Sequence, residues 1–297
     1  MTSSLLPWAR LARLALLPSI LWDLAAGALV AGLAWEPRLL APLLGVVFLY
    51  HGGMVLNDVA DVARDRVAGR RRPLVAGAVS RRAAAAFAAA LLGLGWALLR
   101  FGSPHGAGLA ELLLGVVLLY DLGGDVLRHW LGPGLLALAR TLAFLALPWA
   151  VFGRAALFTA GATPPIPVEA PLVQALGWLF LARLATHEET GLPGMRVLPY
   201  LLMTAVVPGA LLRLDPWWPA FVPLWLGFAV LLVLPVWPRR HERFPPKDLQ
   251  AVVRRGLGAM PLLPTLVVLA VAPSPWALGG VLVVPAVRAL ARRLPPE

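Results

Sequence analysis

Residues 39–56 read LLAPLLGVVFLYHGGMVL, and residues 57–65 continue as NDVADVARD. The first stretch is apolar enough to cross a bilayer, and the second places three aspartates directly at its end. An arginine-rich stretch follows at 66–82, RVAGRRRPLVAGAVSRR. An apolar stretch followed directly by charged residues of both signs predicts a membrane helix that ends in a polar site.

The rest of the chain has the composition of an integral membrane protein. Of its 297 residues, 60% are hydrophobic and 14% charged, and the mean hydropathy is +0.79. Apolar runs long enough to cross a hydrocarbon core of about 30 Å recur throughout, so we expect an all-α bundle forming a single domain over 1–297. The candidate spans are 14–33, 39–56, 83–101, 108–127, 133–153, 171–186, 197–213, 217–237, 258–273 and 275–291.

Basic residues set the expected orientation of these spans. Arginines crowd the loops after the second, fourth and eighth spans, which predicts that these loops face the cytoplasm. Arg292 and Arg293 would also lie inside with ten spans, whereas nine would leave them outside, although the last segment could instead be a shallow interfacial helix. We expect a multi-pass protein of a bacterial-type inner or plasma membrane. The chain has no cysteine, which excludes disulfides and thiolate sites.

The aspartates of the quoted stretch share one helical face. Asp58, Asp61 and Asp65 are spaced by three and four residues, and Asn57 lies four before Asp61. Carboxylates gathered in this way repel one another unless cations neutralise them, and Mg²⁺ prefers hard oxygen ligands shared with substrate phosphates. Arg71 and Arg72 add planar, permanently charged groups that suit phosphate oxygens. These residues predict a magnesium and diphosphate site beside an apolar cavity.

This pattern resembles the first signature of the UbiA superfamily of intramembrane prenyltransferases. The resemblance rests on Asn57, Asp58, Asp61 and Asp65 followed by Arg72-Pro73-Leu74, and it covers most of the chain in span order. It implies a bundle of nine to ten helices around a central cavity, with Mg²⁺ as cofactor and a prenyl diphosphate as donor. The chain is also similar to the divergent EboC-like branch. A solvated loop whose acids only balance its arginines is the structural alternative.

The second acidic motif of that family is altered in this chain. The stretch at 185–200, ATHEETGLPGMRVLPY, keeps Arg196 of the family pattern but places Thr186 and Thr190 where the resemblance implies aspartates. Glu188 and Glu189 lie between them. Either these glutamates reach a second Mg²⁺, which is the reading we favour, or part of the metal site is lost.

The fourth and fifth spans add further polar candidates. Tyr120 and Asp121 close the fourth span, and Asp125 lies one turn further along the chain. The acids either extend the polar wall around the substrate, with Asp121 as base for a departing proton, or pair with Arg128 and Arg140. The resemblance implies that both arginines bind diphosphate. Asp23 in the first span must point into the bundle, towards a Ser, Thr or Arg or towards the acceptor.

These residues together predict a magnesium-dependent prenyltransferase that uses an aromatic or other small or lipid acceptor. The expected catalytic set is Asp58, Asp61, Asp65, Arg72 and Asp121. Substrate-binding roles are expected for Asn57, Arg71, Tyr120, Arg128, Arg140 and Arg196, and metal-binding roles for Asn57, Asp58, Asp61, Asp65, Glu188 and Glu189. The alternative function is a lipid or small-molecule transporter with the same fold, for which the altered second motif is the main support. We expect the bilayer as surroundings and no nucleic acid as partner, since the net charge of +11 is explained by positive loops.

Overall fold

The protein is described by a computed structural model that covers residues 5–70, 72–158 and 166–294. Helices dominate these residues. In chain order they are α1 (Leu5–Leu11), α2 (Leu17–Val30), α3 (Leu40–Val67), α4 (Arg81–Phe101), α5 (Gly106–Leu122), α6 (Gly124–Trp130), α7 (Gly132–Phe158), α8 (Glu169–Ala185), α9 (Gly194–Val206), α10 (Trp218–Val233), α11 (Pro246–Ala259), α12 (Leu262–Val271) and α13 (Gly279–Arg293). Two short strands, β1 (Leu192–Pro193) and β2 (Arg243–Phe244), pair antiparallel.

The helices make this an integral, multi-pass membrane protein of the predicted all-α class. In the described residues, six helical stretches are long and apolar enough to cross a membrane, or seven if the bent pair α1–α2 forms one span. Each of the ten predicted spans falls on a helix of the structure. However, α5 and α8 have 17 residues each and α13 has 15, which is short for a bilayer crossing. The count of nine to ten spans therefore stays a prediction.

A break divides the first helical segment of the chain. Helix α1 and the helical stretch that contains α2 meet at 58°, and Arg13 at the break has a left-handed backbone with φ of 49°. A helix break leaves backbone carbonyls without helical partners. The buried His51 of α3 compensates, since its Nδ1 lies 2.7 Å from the Ala12 carbonyl oxygen and donates to it. The contact fixes the break, and with it Arg13, against α3.

Glycines let the membrane helices approach each other closely. At the crossing of α3 and α4, a Cβ atom added to Gly95 would lie 2.8 Å from the Gly45 carbonyl oxygen. A Cβ on Gly27 of α2 would overlap the Phe144 carbonyl of α7. Small residues allow such backbone contacts, and in lipid the resulting van der Waals packing holds helices together. These crossings align α3 with its neighbours.

The most deeply buried segments are the middle of α7 and all of α12 except its last residue. Residues 141–150 and 259–270 are buried without interruption, which matches their continuous apolar sequence. Helix α2 packs against α7, α12 and α13. At one end of the bundle, the pairing of β1 with β2 ties the loop after α8 to the loop after α10. The acidic end of α3 lies next to the loop after α8.

Candidate active site

The three aspartates of α3 are buried on one face of the helix, as their spacing predicts. Asp58, Asp61 and Asp65 are 4%, 6% and 1% exposed, although they occupy the last turns of the helix. Burying an ionised carboxylate is costly unless a cation or several hydrogen bonds compensate for its lost hydration. The compensating groups in this structure are arginines from three separate parts of the chain.

The turn that ends α3 brings two of these arginines back over the aspartates. Gly69 adopts φ of 65°, the Arg70 backbone N–H donates to the Asp65 carbonyl oxygen at 2.9 Å, and the Gly69 N–H donates to Arg66 at 3.2 Å. This is a Schellman motif with glycine at the left-handed position. It reverses the chain, so that residues following the helix face the carboxylates that the helix carries.

Arg72 lies at the centre of the resulting ion-pair network. Its Nη1 atom is 2.7 Å from Oδ1 of Asp58 and 2.7 Å from Oδ2 of Asp65. Burial lowers the pKa of Arg72 from its usual range, while Asp58 and Asp65 oppose that shift. An arginine remains protonated at neutral pH despite such a shift. One cationic nitrogen thus bridges two carboxylates, one at each end of the aspartate series.

Two further arginines complete the pairing of the aspartates. Arg13 Nη2 donates to Asp58 Oδ1 at 3.0 Å, and Arg64 Nη2 donates to Asp61 Oδ2 at 2.8 Å. Arg13 is 45 residues away from Asp58, so no local sequence pattern predicts this pair. Its backbone is left-handed, with φ of 49°, a conformation that few residues other than glycine adopt. The local sequence does not reveal it.

Helix α5 joins the cluster through an asparagine–aspartate contact. Asn57 Nδ2 donates to Asp121 Oδ1 at 3.1 Å, and Asp121 is 3% exposed. Gly53 lets α5 lie close to α3 here, since a Cβ on it would lie 2.9 Å from a methyl carbon of Val117. Tyr120 is half-buried beside it. The structure therefore brings Asp121 to the acidic end of α3, as the polar-wall reading requires.

The altered second motif forms a tight turn after α8. The hydroxyl of Thr186 donates to the Arg183 carbonyl at 2.8 Å, and that of Thr190 donates to the His187 carbonyl at 3.3 Å. Glu189 is exposed, and its Oε1 accepts from Arg70 Nη2 at 2.6 Å. Glu188 is half-buried, and burial raises its pKa while Arg70 and Arg254 oppose the rise. The two glutamates thus point to different surroundings, as adjacent residues do.

Arg70 connects the two acidic segments. In addition to Glu189, it contacts Asp65 Oδ1 through Nη1 at 3.2 Å. The first and second motifs are therefore joined by one guanidinium group. In the sequence, Arg70 is one of several arginines in the stretch 66–82, and nothing local distinguishes it.

His187 of this turn lies near several basic residues, among them Arg196. Burial lowers the pKa of His187, and the charges of Arg183, His129 and Arg196 lower it further. Arg196 is exposed on the first turn of α9. The imidazole of His187 is therefore expected to be neutral at pH 7. The substrate-binding role of Arg196 stays a prediction.

Arg140 is held in the interior of the bundle by Asp23. Its Nη2 atom lies 2.6 Å from Asp23 Oδ2 and donates to Ser19 at 2.8 Å. The guanidinium also stacks on Trp178 at 4.3 Å and faces Tyr50 at 5.5 Å. Tyr50 precedes Asn57 by two helical turns, so Arg140 lies roughly 10 Å deeper along α3 than the acidic cluster.

Asp23 accordingly points into the bundle. Of the two alternatives for this residue, it makes the contact with an arginine and a serine, not one with the acceptor. Of the other predicted residues, Arg71 lies outside the described part of the chain. The side chains of Asp125 and Arg128 do too. Their predicted roles are not tested by the structure.

The donor chemistry of α3 fits a magnesium ion, because the buried groups are carboxylate oxygens. The Arg72 nitrogen shared by Asp58 and Asp65 marks a point where a cation can bind two of them. In the arrangement observed, no three acidic or histidine side chains of the described residues converge closely enough to hold a metal ion. Arginine thus takes the place that a metal would need, and metal binding stays a prediction for this set.

Two clefts open on the sides of the bundle. One is lined by residues of α8, α9 and α10, including Trp225, and the other by residues around Trp130, Arg183 and Tyr200. Neither is lined by an aspartate of α3. The central cavity implied by the resemblance stays a prediction.

Comparison with known proteins gives a family and a fold. A sequence model described as the UbiA prenyltransferase family matches residues 16–252, whereas no curated protein matches the chain significantly.

Three solved structures are similar over nearly their whole length. One is described as a digeranylgeranylglyceryl phosphate synthase: its TM-score is 0.58 at 16% identity, over 90% of this chain and 99% of that one. A UbiA homologue from Archaeoglobus fulgidus bound to GPP and Mg²⁺ gives 0.55 at 15% identity, over 88% and 99%. The same homologue with DMAPP and Mg²⁺ gives 0.53 at 16%, over 88% and 98%. The predicted fold class is thereby confirmed.

Proposed function

We propose, since the chain belongs to the UbiA prenyltransferase family, that it transfers a prenyl group from a prenyl diphosphate to an aromatic or other small or lipid acceptor within the membrane. The observation that carries the proposal is the buried set of Asp58, Asp61 and Asp65 combined with Arg72 and Arg13 at one end of an apolar bundle. Carboxylates and arginines together are the groups that bind a metal diphosphate.

Asn57, Asp58, Asp61 and Asp65 are the residues that would hold Mg²⁺. When bound, the ion would neutralise charge on the leaving diphosphate. The support is the oxygen donor set of α3 and the Mg²⁺ present in the Archaeoglobus homologue. The second ion expected at Glu188 and Glu189 is not part of this proposal.

Arg72 and Arg13 would bind the diphosphate itself. Both already lie against Asp58, so phosphate oxygens that reach the aspartates would meet two guanidinium groups at once. Each guanidinium can donate two parallel hydrogen bonds to one phosphate group. Such donors, fixed before the reaction begins, stabilise charge that develops on the departing group.

The deeper part of the site would serve the two remaining steps, formation of the allylic cation and loss of a proton by the acceptor. The apolar surroundings of α3 and α7 would exclude water from the allylic cation that forms when the C–O bond breaks. Asp121, next to Asn57, would accept the proton that the acceptor loses, and Tyr120 would line the same wall. Arg71, Arg128, Arg140 and Arg196 stay predicted substrate-binding residues.

We place this site at the cytoplasmic surface of a bacterial-type inner or plasma membrane, in a single domain over 1–297. The arginine-rich loop at 66–82 supports the orientation, since basic loops stay on the cytoplasmic side.

The test measures release of diphosphate by the purified protein in nanodiscs, with radiolabelled prenyl diphosphates of several lengths, Mg²⁺ and a lipid extract as acceptor source. We expect a labelled product with the wild type. Asp58→Asn should lower kcat/KM by at least about 100-fold, because the substitution preserves shape but removes the charge. Glu36→Gln, at an exposed acid in the loop between α2 and α3, should leave it unchanged. Chelation of divalent cations should abolish product formation.

One observation favours the alternative function, a carrier of lipids or small molecules. Thr186 and Thr190 stand where acids are implied, and the aspartates of α3 are already paired with arginines. A carrier would bind a prenyl diphosphate and return it intact. Recovery of the bound donor without cleavage, for every donor and acceptor fraction, would support the carrier and refute the transferase.

A further inference from the structure

The second acidic segment offers a divalent cation only two carboxylates, the half-buried Glu188 and the exposed Glu189. Both threonine hydroxyls in it donate to nearby backbone carbonyls, and neither carries a charge. The Glu189 side chain is 61% exposed and already bound to Arg70 at 2.6 Å. Among the described residues, no group of three acids or histidines converges on this segment. In the arrangement observed, these residues therefore do not form a second magnesium site.

A different cation occupies the space between the two acidic segments. Arg70 contacts Asp65 of the first segment at 3.2 Å and Glu189 of the second at 2.6 Å, across 119 residues of sequence. A metal that joined the segments would have to bridge carboxylates from both. The guanidinium group makes that bridge with a permanent positive charge and two separate nitrogens.

Arg70 is also positioned to reach a ligand. Its side chain is 30% exposed, whereas Asp65 beneath it is 1% exposed, so the guanidinium covers the carboxylate from the solvent side. The Schellman turn at Gly69 fixes its backbone next to the cluster. Arg72 lies two residues further on, against the same Asp65. A diphosphate approaching the aspartates could therefore contact Arg70.

We propose that Arg70 takes the place of a second divalent cation: it bridges the two acidic segments and donates to the diphosphate, so that one Mg²⁺, held by the aspartates of α3, suffices. The inference rests on the proposed prenyl transfer and deepens it. Here one charge in the diphosphate site comes from the chain itself. Chelators and low magnesium concentrations cannot remove the charge of Arg70. The site would therefore need to bind only one Mg²⁺ ion.

The test counts bound cations. The full-length protein in nanodiscs is titrated with Mn²⁺ in the presence of a non-cleavable prenyl thiolodiphosphate, and free Mn²⁺ is read from its electron paramagnetic resonance signal. We expect one ion per wild-type protein. Arg70→Gln should still bind one ion but should weaken binding of the thiolodiphosphate by roughly 10- to 100-fold, the value of a charge-assisted hydrogen bond. Arg66→Gln, at an exposed arginine of the same helix end, is the matched control and should bind both as the wild type does.

A gain of metal binding separates the proposed role from a merely structural one. Arg70→Asp would add a carboxylate between Asp65 and Glu189, and we expect this variant to bind two ions. Glu189→Gln removes the same bridge from the other side, so it should bind one ion and leave Arg70 able to donate to the ligand.

Three outcomes would overturn the inference. The first is binding of two ions by the wild type. The second is binding of only one ion by Arg70→Asp. The third is an unchanged affinity of Arg70→Gln for the thiolodiphosphate. Cleavage of a prenyl diphosphate by a wild type that binds two ions would leave the proposed function standing and remove only the role of Arg70. Absence of both thiolodiphosphate binding and cleavage would remove both.

Discussion

Arg140 carries a positive charge into the interior of the bundle, where it is 2% exposed. Asp23 lies 2.6 Å away, and neither Asp23 oxygen nor the Arg140 Nε atom has a further aligned hydrogen bond. Removing one member of a buried ion pair leaves the other uncompensated, which costs about 3–5 kcal/mol. We expect Asp23→Ala to lower the free energy of unfolding by that amount, measured by denaturant titration in detergent micelles.

The double variant Asp23→Leu/Arg140→Met should recover most of this loss, since apolar replacement of a whole buried pair is often neutral. Glu36→Ala, which breaks an exposed ion pair with Arg38, is the control and should cost less than about 1 kcal/mol. If Asp23→Ala and the wild type unfolded with the same midpoint denaturant concentration, the ion pair would contribute nothing to stability.

At the scale of elements, the crossing of α3 and α4 determines where the acidic end of α3 lies. Gly45 and Gly95 face each other there, and a Cβ on Gly95 would lie 2.8 Å from a backbone carbonyl oxygen that cannot move without its helix. We expect Gly95→Ala to destabilise the protein by about 1–3 kcal/mol, the usual cost of overpacking. Thermal unfolding in the same detergent measures it.

Gly93 provides the comparison within the same helix, because a Cβ there meets no atom within 4 Å. Gly93→Ala should be neutral or stabilise by up to about 1 kcal/mol, since alanine favours helix over glycine. Equal unfolding temperatures for Gly93→Ala and Gly95→Ala would contradict the close backbone contact between α3 and α4.

At the scale of the whole molecule, the orientation of α3 decides which compartment the site faces. The helical stretch Pro37–Val67 has 31 residues and places Glu36 and the exposed Val67 at opposite ends. At 1.5 Å per residue this exceeds the hydrocarbon thickness of about 30 Å. The chain has no cysteine, so single cysteines can be labelled without background.

We expect a membrane-impermeant maleimide to label Val67→Cys only in inside-out vesicles and Glu36→Cys only in right-side-out vesicles. The positive-inside rule predicts this assignment from the arginines at 66–82. Labelling of both variants from one side would mean that α3 does not cross the membrane.

Much of the fold and part of the site could be predicted because both depend on local patterns. The length of an apolar run indicates where a helix can cross the bilayer, and each predicted span overlaps a helix, although 108–127 extends from α5 into α6 and 258–273 from α11 into α12. Spacing of three and four residues places Asp58, Asp61 and Asp65 on one face, and all three are buried there. The number of complete crossings could not be predicted, because α5, α8 and α13 are too short for hydropathy alone to decide.

The sequence by itself determined that this is a helical membrane protein with an acidic, arginine-rich site at the end of α3, since hydropathy and helical periodicity are properties of neighbouring residues. Only the tertiary structure decided which arginine meets which acid. Arg13 lies against Asp58, Arg70 joins Asp65 to Glu189, and Arg140 pairs with Asp23 instead of reaching the acidic cluster. The physical reason is that a charge in a low-dielectric interior pairs with the nearest opposite charge, and helix breaks, chain reversals and helix crossings determine which one is nearest.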